Sequence, residues 1–457
     1  MTGREEKITL PAREVPVLYE ADALVAGGGL AGVCAAVAAA ETGASVILLE
    51  SGGCLGGIAT AGLLSTLGGY YLYDGENYVQ IVKGLADRIL TRLYREGSAG
   101  EAVIYKKTAN VPYDVPMLER ILDQLVLAAG VKVLFHQRVS AVLTEESGES
   151  GPDGKTEKQV SRVVASGKQG DFALRCRTLI DCTGDGDAAF YAGAEILKEP
   201  GYCQYPSALF HLSDVNVEQA TRISRESLTE ISRRAVERGL YDLPRIDGGI
   251  VPLPRAGEAR CNLTRLRYEG RPANPFDREE MSWGEIEGRR QAYLYLDFLR
   301  NQVPGYETAK VARLPEYVGV RESRRIKGRY VLSEEEVNRG AKFDDGILCC
   351  AWPVELHAGG SQTRWGELAD GDYYQVPLGC LLAKGFTNLY LAGRCISATR
   401  GAQAAARICA SSMAAGQAAG TAAAMAVKRG WTTAEIDTAA VRAALRAAGA
   451  CLEYPWD

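Results

Sequence analysis

Histidine is nearly missing from this chain, with three in 457 residues. That leaves too few ligands for a His-rich metal enzyme, and no metal site is expected. No G-X-Y period runs through the 51 glycines, which excludes a collagen-like rod. Excess basic charge is lacking as well. Lys and Arg number 52 against 57 Asp and Glu, a net charge of −5. The broad basic stripe of a nucleic-acid binder is therefore not expected. Met1–Lys7 lack the apolar run of a secretory signal, so the expected setting is cytoplasmic. The twelve cysteines have no regular spacing and read as small buried hydrophobes, not as a disulfide framework.

Long apolar runs are scarce too. Residues 408–427 (ICASSMAAGQAAGTAAAMAV) carry no charge over the length of a bilayer crossing. Alanine dominates the run, and only Ile408, Met413, Met425 and Val427 are strongly apolar. A helix packed tightly inside protein fits it better than a helix in lipid, so no membrane span is expected.

What the chain does have is 47% hydrophobic residues, enough for a large core spread over two or three compact units. Residues 21–26 read as a strand, 30–42 as a small-residue helix ended by Gly43, and 45–50 as a second strand. This is a β-α-β unit with parallel strands. Helical periodicity covers 78–96 and 117–130, and a strand follows at 131–135. The polar stretch 144–158 reads as a solvated tip between strands. A strand at 178–181 runs into Cys182-Thr183-Gly184-Asp185-Gly186-Asp187. Residues 206–375 change texture to short mixed elements and read as an inserted domain. The last strand returns at 388–393, the alanine-rich helix follows, and Thr432-Thr433-Ala434-Glu435 predicts the capping box of a closing helix.

Gly27-x-Gly29-x-x-Gly32 lies between the first strand and its helix, the context that gives this spacing meaning. Gly27 allows the tight turn, Gly29 lets a pyrophosphate reach the backbone, and Gly32 lets helix and strand pack closely. The first helical N–H groups, at Leu30 and Ala31, carry the partial positive charge that favours phosphate. Glu50 ends the second strand, where it can accept from both ribose hydroxyls and would repel a 2′-phosphate. That argues against NADP. The glycine-rich run continues through Ser51, Gly56, Gly57, Ile58, Ala59 and Thr60. A second backbone approach of this kind suits an extended FAD better than NAD. Thirteen of the 51 glycines fall between Gly27 and Gly75. No further G-x-G-x-x-G unit occurs between 190 and 375, so a separate NAD(P)H domain is not expected.

The chain resembles the FAD-dependent oxidoreductases of the glutathione-reductase-like flavoprotein superfamily. The resemblance rests on GGGLAGVCAAVAAAETGASVILLE (27–50), CLGGIATAGL (54–63), LIDCTGDGDAAFYAGAE (179–195) and LYLAGRCISATRG (389–401). GVRESRRIKGRYVLSEEEV (319–337) and WPVELHAGG (352–360) are closer to one bacterial group within it. The resemblance implies an α/β fold: a Rossmann FAD-binding domain, with parallel sheet and β-meander, and an inserted α+β substrate domain. The implied segments are 1–75, 116–205 and 376–430 for the FAD domain, 76–115 for a helical cap, 206–375 for the substrate domain, and 431–457 for a C-terminal helix and tail. It also implies that Val139 meets adenine, that Thr183, Gly184 and Asp187 border the dinucleotide, and that Gly393 and Arg394 lie beside the flavin-side phosphate or ribitol. Many relatives carry Asp where this chain has Arg394. The helix after Gly401 is implied to aim its N-terminus at the flavin.

For chemistry, His357 is the first candidate acid or base and His211 the second, with His136 read as structural. Arg321 and Arg324 are candidates for gripping an anionic or oxygen-rich substrate through a planar fork. Cys54 has no neighbouring thiol in sequence, which argues against disulfide redox chemistry. The expected activity is hydride transfer between a small organic substrate and the flavin. Alternatives are a non-redox or sacrificial use of the fold, or an electron-transfer subunit. An external electron acceptor and a homo-oligomer stay open as partners.

Overall fold

The computed structural model describes residues 8, 11–150, 154–357 and 363–455. The predicted β-α-β unit forms as β1 (Val17–Ala26), α1 (Leu30–Glu41) and β2 (Val46–Glu50). Helix α2 (Leu85–Arg95) is followed by α3 (Val115–Ala128), β3 (Lys132–Phe135), β4 (Arg138–Ser150), β5 (Thr156–Gly167) and β6 (Gly170–Asp181). Next come β7 (Phe210–Ser213), α4 (Arg225–Glu237), β8 (Gly249–Pro252), β9 (Ala259–Asn262), α5 (Arg278–Gln302) and β10 (Lys310–Arg313). The chain ends through β11 (Leu389–Leu391), α6 (Arg400–Ala406), α7 (Cys409–Arg429) and α8 (Thr438–Ala447).

The main sheet runs β3-β2-β1-β6-β5-β4, and β11 also pairs with β6. Strands β3, β2, β1, β6 and β11 are mutually parallel, whereas β6, β5 and β4 form an antiparallel meander. Strand β6 serves both arrangements. Its first half, Gly170–Arg175, pairs with β5, and its last residues, Leu179–Asp181, pair with β11. Strands β2 and β11 and the C-terminal halves of β1 and β6 are buried at nearly every position, as expected for a sheet covered on both faces, whereas β3 at the sheet edge is only half-buried. This is a mixed α/β fold of Rossmann character.

Helices α1 and α7 pack at very short range. A Cβ on Gly416 would overlap the Ala31 carbonyl oxygen, and one on Gly420 would overlap that of Ala35. The charge-free run therefore lies buried against α1. Among the described residues no helix is long and apolar enough to cross a membrane. A second sheet, ordered β8-β9-β7-β10, carries its own core of Phe210, Leu212, Tyr295, Phe298 and Leu299.

Two local expectations differ from the structure. Residues 76–115, expected to be helical, hold only α2 as a helix, beside a strand at Tyr78–Gln80 and the hairpin Val103–Tyr105/Thr108–Pro112. Gly84, at φ 71°, marks where extended chain ends and helix begins, and the β-branched and aromatic residues of 103–111 favour strands. The Thr432–Glu435 pairing exists, with Glu435 Oε2 accepting the Thr432 N–H at 3.1 Å, but it closes only a turn. Thr433 is drawn aside, donating to the Phe386 carbonyl, and the closing helix starts at α8, capped by Asp437. The tip between β4 and β5 includes residues 151–153, which lie outside the described residues, as do Met1–Lys7 and Ala358–Gly360.

Candidate functional site

One cavity of about 1360 Å³ runs from the first β-α turn to the face of the second sheet. It exceeds the usual range of about 300–1,000 Å³ for small-ligand pockets, which suits a dinucleotide together with a substrate.

At the nucleotide end, Gly27, Gly29, Leu30, Ala31, Glu50, Ser51, Gly56, Gly57, Ile58, Val139, Thr183, Gly184, Asp187, Gly393 and Arg394 line the cavity. Helix α1 begins at Gly29 without a side-chain cap, so its first N–H groups have no side-chain partner. A Cβ on Gly29 would meet nothing within 4 Å, whereas one on Gly32 would overlap the Gly27 carbonyl. The two glycines thus divide the work. Gly29 leaves space for a ligand, and Gly32 permits packing. Glu50 accepts the Gly28 N–H at 2.7 Å and the Gly52 N–H at 2.6 Å, which joins the two glycine-rich turns. Gly56 donates to the Gly28 carbonyl at 2.8 Å, so the second turn lies directly against the first.

Asp181 shapes the third wall. Its Oδ1 accepts the Thr183 N–H at 3.0 Å and hydroxyl at 2.7 Å, and its Oδ2 accepts the Ala189 N–H at 2.8 Å. Arg394 pairs with Asp185 at 2.9 Å and donates to the Ser323 hydroxyl at 2.7 Å. Opposite burial, which alone would raise it, the Arg394 charge holds the Asp185 carboxyl below its usual range. The open space at Gly29, the uncapped helix and the Glu50 carboxylate together fit the pyrophosphate and ribose of FAD.

Some expected residues stand outside the cavity wall. Gly32 is a packing position. Ala59 and Thr60 are fully buried, and the Thr60 hydroxyl donates to the Leu55 carbonyl at 2.6 Å, which shapes the loop from behind. Arg324 pairs with Asp187 at 2.7 Å and stacks over Phe190 and Phe276, away from the cavity. His211 lies 2.6 Å from the Ser65 hydroxyl, and its ring is pushed down to about 4 by burial and by Arg313 and Arg260. The helix that meets the cavity is α7, through Ile408, Cys409 and Ser412. It is not the short α6 after Gly401, because Gly401 packs on Glu334. All twelve cysteines are free thiols, and Cys54 faces the Thr60 hydroxyl.

At the other end stand Arg225, Arg260, Arg321, Trp352, Glu355, His357 and Arg407. His357 Nε2 lies 3.3 Å from Glu355 Oε1, and the Trp352 indole donates to Oε2 at 3.2 Å. A carboxylate only accepts, so the imidazole proton sits on Nε2, leaving Nδ1 for the Thr363 hydroxyl at 3.1 Å. Burial and the Arg321 charge push the ring down to about 3, outweighing Glu355. His357 is therefore neutral at pH 7, with both nitrogens engaged. Burial works against the Glu355 charge, but the His357 hydrogen bond and the Arg407 and Arg321 charges keep it well below the usual range. Arg321 donates to the Tyr205 carbonyl at 2.6 Å and to the Ser207 hydroxyl at 2.8 Å. Glu355, Arg225, Arg260 and Arg407 are site residues that sequence reasoning missed. They are scattered over 180 positions, with no spacing to betray them.

Residues 22–445 match the family model described as FAD dependent oxidoreductase. Comparison with curated proteins gives no match. Among solved structures, the chain is similar to a geranylgeranyl bacteriochlorophyll reductase-like protein from Thermoplasma acidophilum. The identity is 13%, over 94% of this chain and 84% of that one, with a TM-score of 0.48. It is also similar to the p-nitrophenol 4-monooxygenase PnpA from Pseudomonas putida DLL-E4, at 13% identity over 91% and 82%, TM-score 0.43.

Proposed function

The chain belongs to the FAD-dependent oxidoreductases, and on that premise we propose that it transfers a hydride between a small organic substrate and the flavin. The observation that carries this reading is the single cavity joining the glycine-rich turns to the His357–Arg321 end. Bound FAD supplies the two-electron chemistry, while the protein binds, orients and excludes water. In this reading the phosphates sit over Gly29, Leu30 and Ala31, Glu50 takes the ribose, and Val139 borders the adenine. Thr183, Gly184, Gly393 and Arg394 line the stretch towards the flavin. Arg321 and Arg407 orient the substrate. His357, neutral and hydrogen-bonded on both sides, is a positioning residue for Glu355 and not a proton donor.

The same proposal takes the architecture as glutathione-reductase-like. Residues 206–375 are then the substrate domain inserted into an FAD domain of 1–75, 116–205 and 376–430. It also includes a cytoplasmic setting and an external electron acceptor, and leaves open a homo-oligomer. Anaerobic mixing of the yellow protein with sugars, hydroxy acids, amines and enoates tests it. Bleaching of the flavin by one class, stoichiometric with substrate, is the expected result. A flavin that dithionite reduces but no organic compound does would instead support an electron relay.

A further inference from the structure

Deepening that reading, and resting on it, we propose that the substrate is an organic acid whose carboxylate is held by Arg225, Arg260, Arg321 and Arg407. These four arginines border the cavity at its far end. Arg245 and Arg265 stand just behind them. They are among the charges that press on Arg321, whose guanidinium burial and these neighbours push well down. The acids facing this group are Glu355 and Asp247, with Glu322 reaching Arg407 from its own pairs with Arg325 and Arg400. Both facing acids are already engaged. Glu355 serves His357 and Trp352, and Asp247 takes Arg245 at 2.6 Å. Among the described residues none of the four cavity arginines makes an ion pair of its own, and His357 is neutral, which leaves a local surplus of positive charge.

Two of the four also have a guanidinium nitrogen sealed in protein without a partner. Arg260 is 7% exposed, donates to the Thr66 hydroxyl at 2.5 Å, and has a buried Nε without a partner. The Arg407 Nε is likewise buried without a partner, and its guanidinium makes no hydrogen bond among the described residues. Burying cations without counter-charge is costly, and a cavity that keeps several of them is complementary to an anion. A carboxylate fits the planar forks of the guanidinium groups. The pyrophosphate of FAD does not account for them. They come from α4, β9, the loop before α7 and the 319–325 segment, whereas the pyrophosphate cradle is built on β1, α1 and the Gly56 turn. Around them, Arg225 stacks 3.8 Å over Tyr105, and Trp352 and Trp365 border the same cavity. Of these rings, Trp352 carries no cation over its face among the described residues and offers apolar surface to the carbon body that bears the acid.

Holoenzyme titrated by calorimetry with acetate, malonate and benzoate, each against its neutral amide, tests the proposal. At least one acid should bind saturably, with its amide weaker by about tenfold or more. Arg407→Gln and, separately, Arg260→Gln should weaken that acid by a similar factor while FAD content stays at the wild-type level. The Arg407 variant carries the test if the more buried Arg260 variant does not fold. Equal binding of acid and amide, no binding of any acid to FAD-replete protein, or indifference to the substitutions would overturn it. Wild-type protein without FAD would sink the flavoprotein reading first, and this proposal with it.

Discussion

His357 and His211 show how burial decides what a rare residue does. Both rings are held neutral, with values near about 3 and about 4 against an ordinary 6.5. Two consequences follow at this scale. Activity should show no limb near pH 6.5 from His357. His357→Gln, which keeps a donor for Glu355, should retain more turnover than His357→Ala. A limb at 6.5 that disappears in the Gln variant would contradict the positioning role. The second consequence concerns stability. Once unfolded, each ring returns to its ordinary value, so below about pH 6.5 the unfolded chain binds protons that the folded chain refuses. Stability therefore falls as pH drops from about 6.5 towards 4, by up to about 1.4 kcal/mol per pH unit per ring. Denaturant unfolding against pH should show a shallower slope for His211→Asn than for wild type, and an unchanged slope would contradict the buried neutral state.

Among the elements, the α1–α7 contact governs both fold and site. The N-termini of both helices face the cavity, so their packing distance sets its shape. Gly416→Ala and Gly420→Ala force a methyl group onto a carbonyl of α1, an overpacking that costs about 1–3 kcal/mol. We expect a lower Tm and partial FAD loss in each, measured by thermal unfolding and bound-flavin absorbance. Wild-type behaviour would show that the helices are not so closely held. This contact also marks what sequence can reveal. Glycines at fixed positions, an apolar strand before them and an acid at the end of the next strand report on one local unit, and that unit formed as read. The break at Arg407–Ile408, which moves the cavity-facing helix start from Gly401 to Cys409, has no proline or glycine to announce it. The pairing of β7 with both β9 and β10 joins segments about 50 and 100 residues apart, so no local pattern encodes it. For the same reason Glu355, Arg225, Arg260 and Arg407 were invisible until the fold brought them together.

At the scale of the whole molecule, one sheet edge and one smaller sheet enclose a continuous cavity with two chemical ends. One end is backbone, glycine and helix N-terminus. The other is arginine, tryptophan and an oriented carboxylate. The account stands on the first end being the FAD cradle, and Gly29 isolates that claim. Its φ of −62° suits alanine, and an added methyl group there meets no protein atom within 4 Å, only the space assigned to the pyrophosphate. Calorimetric titration of FAD into wild-type and Gly29→Ala apoprotein is therefore the most direct measurement. The account predicts one FAD per wild-type chain, and affinity at least about tenfold weaker in a variant whose apoprotein melts at the wild-type temperature. Equal FAD affinity in the two proteins would contradict it.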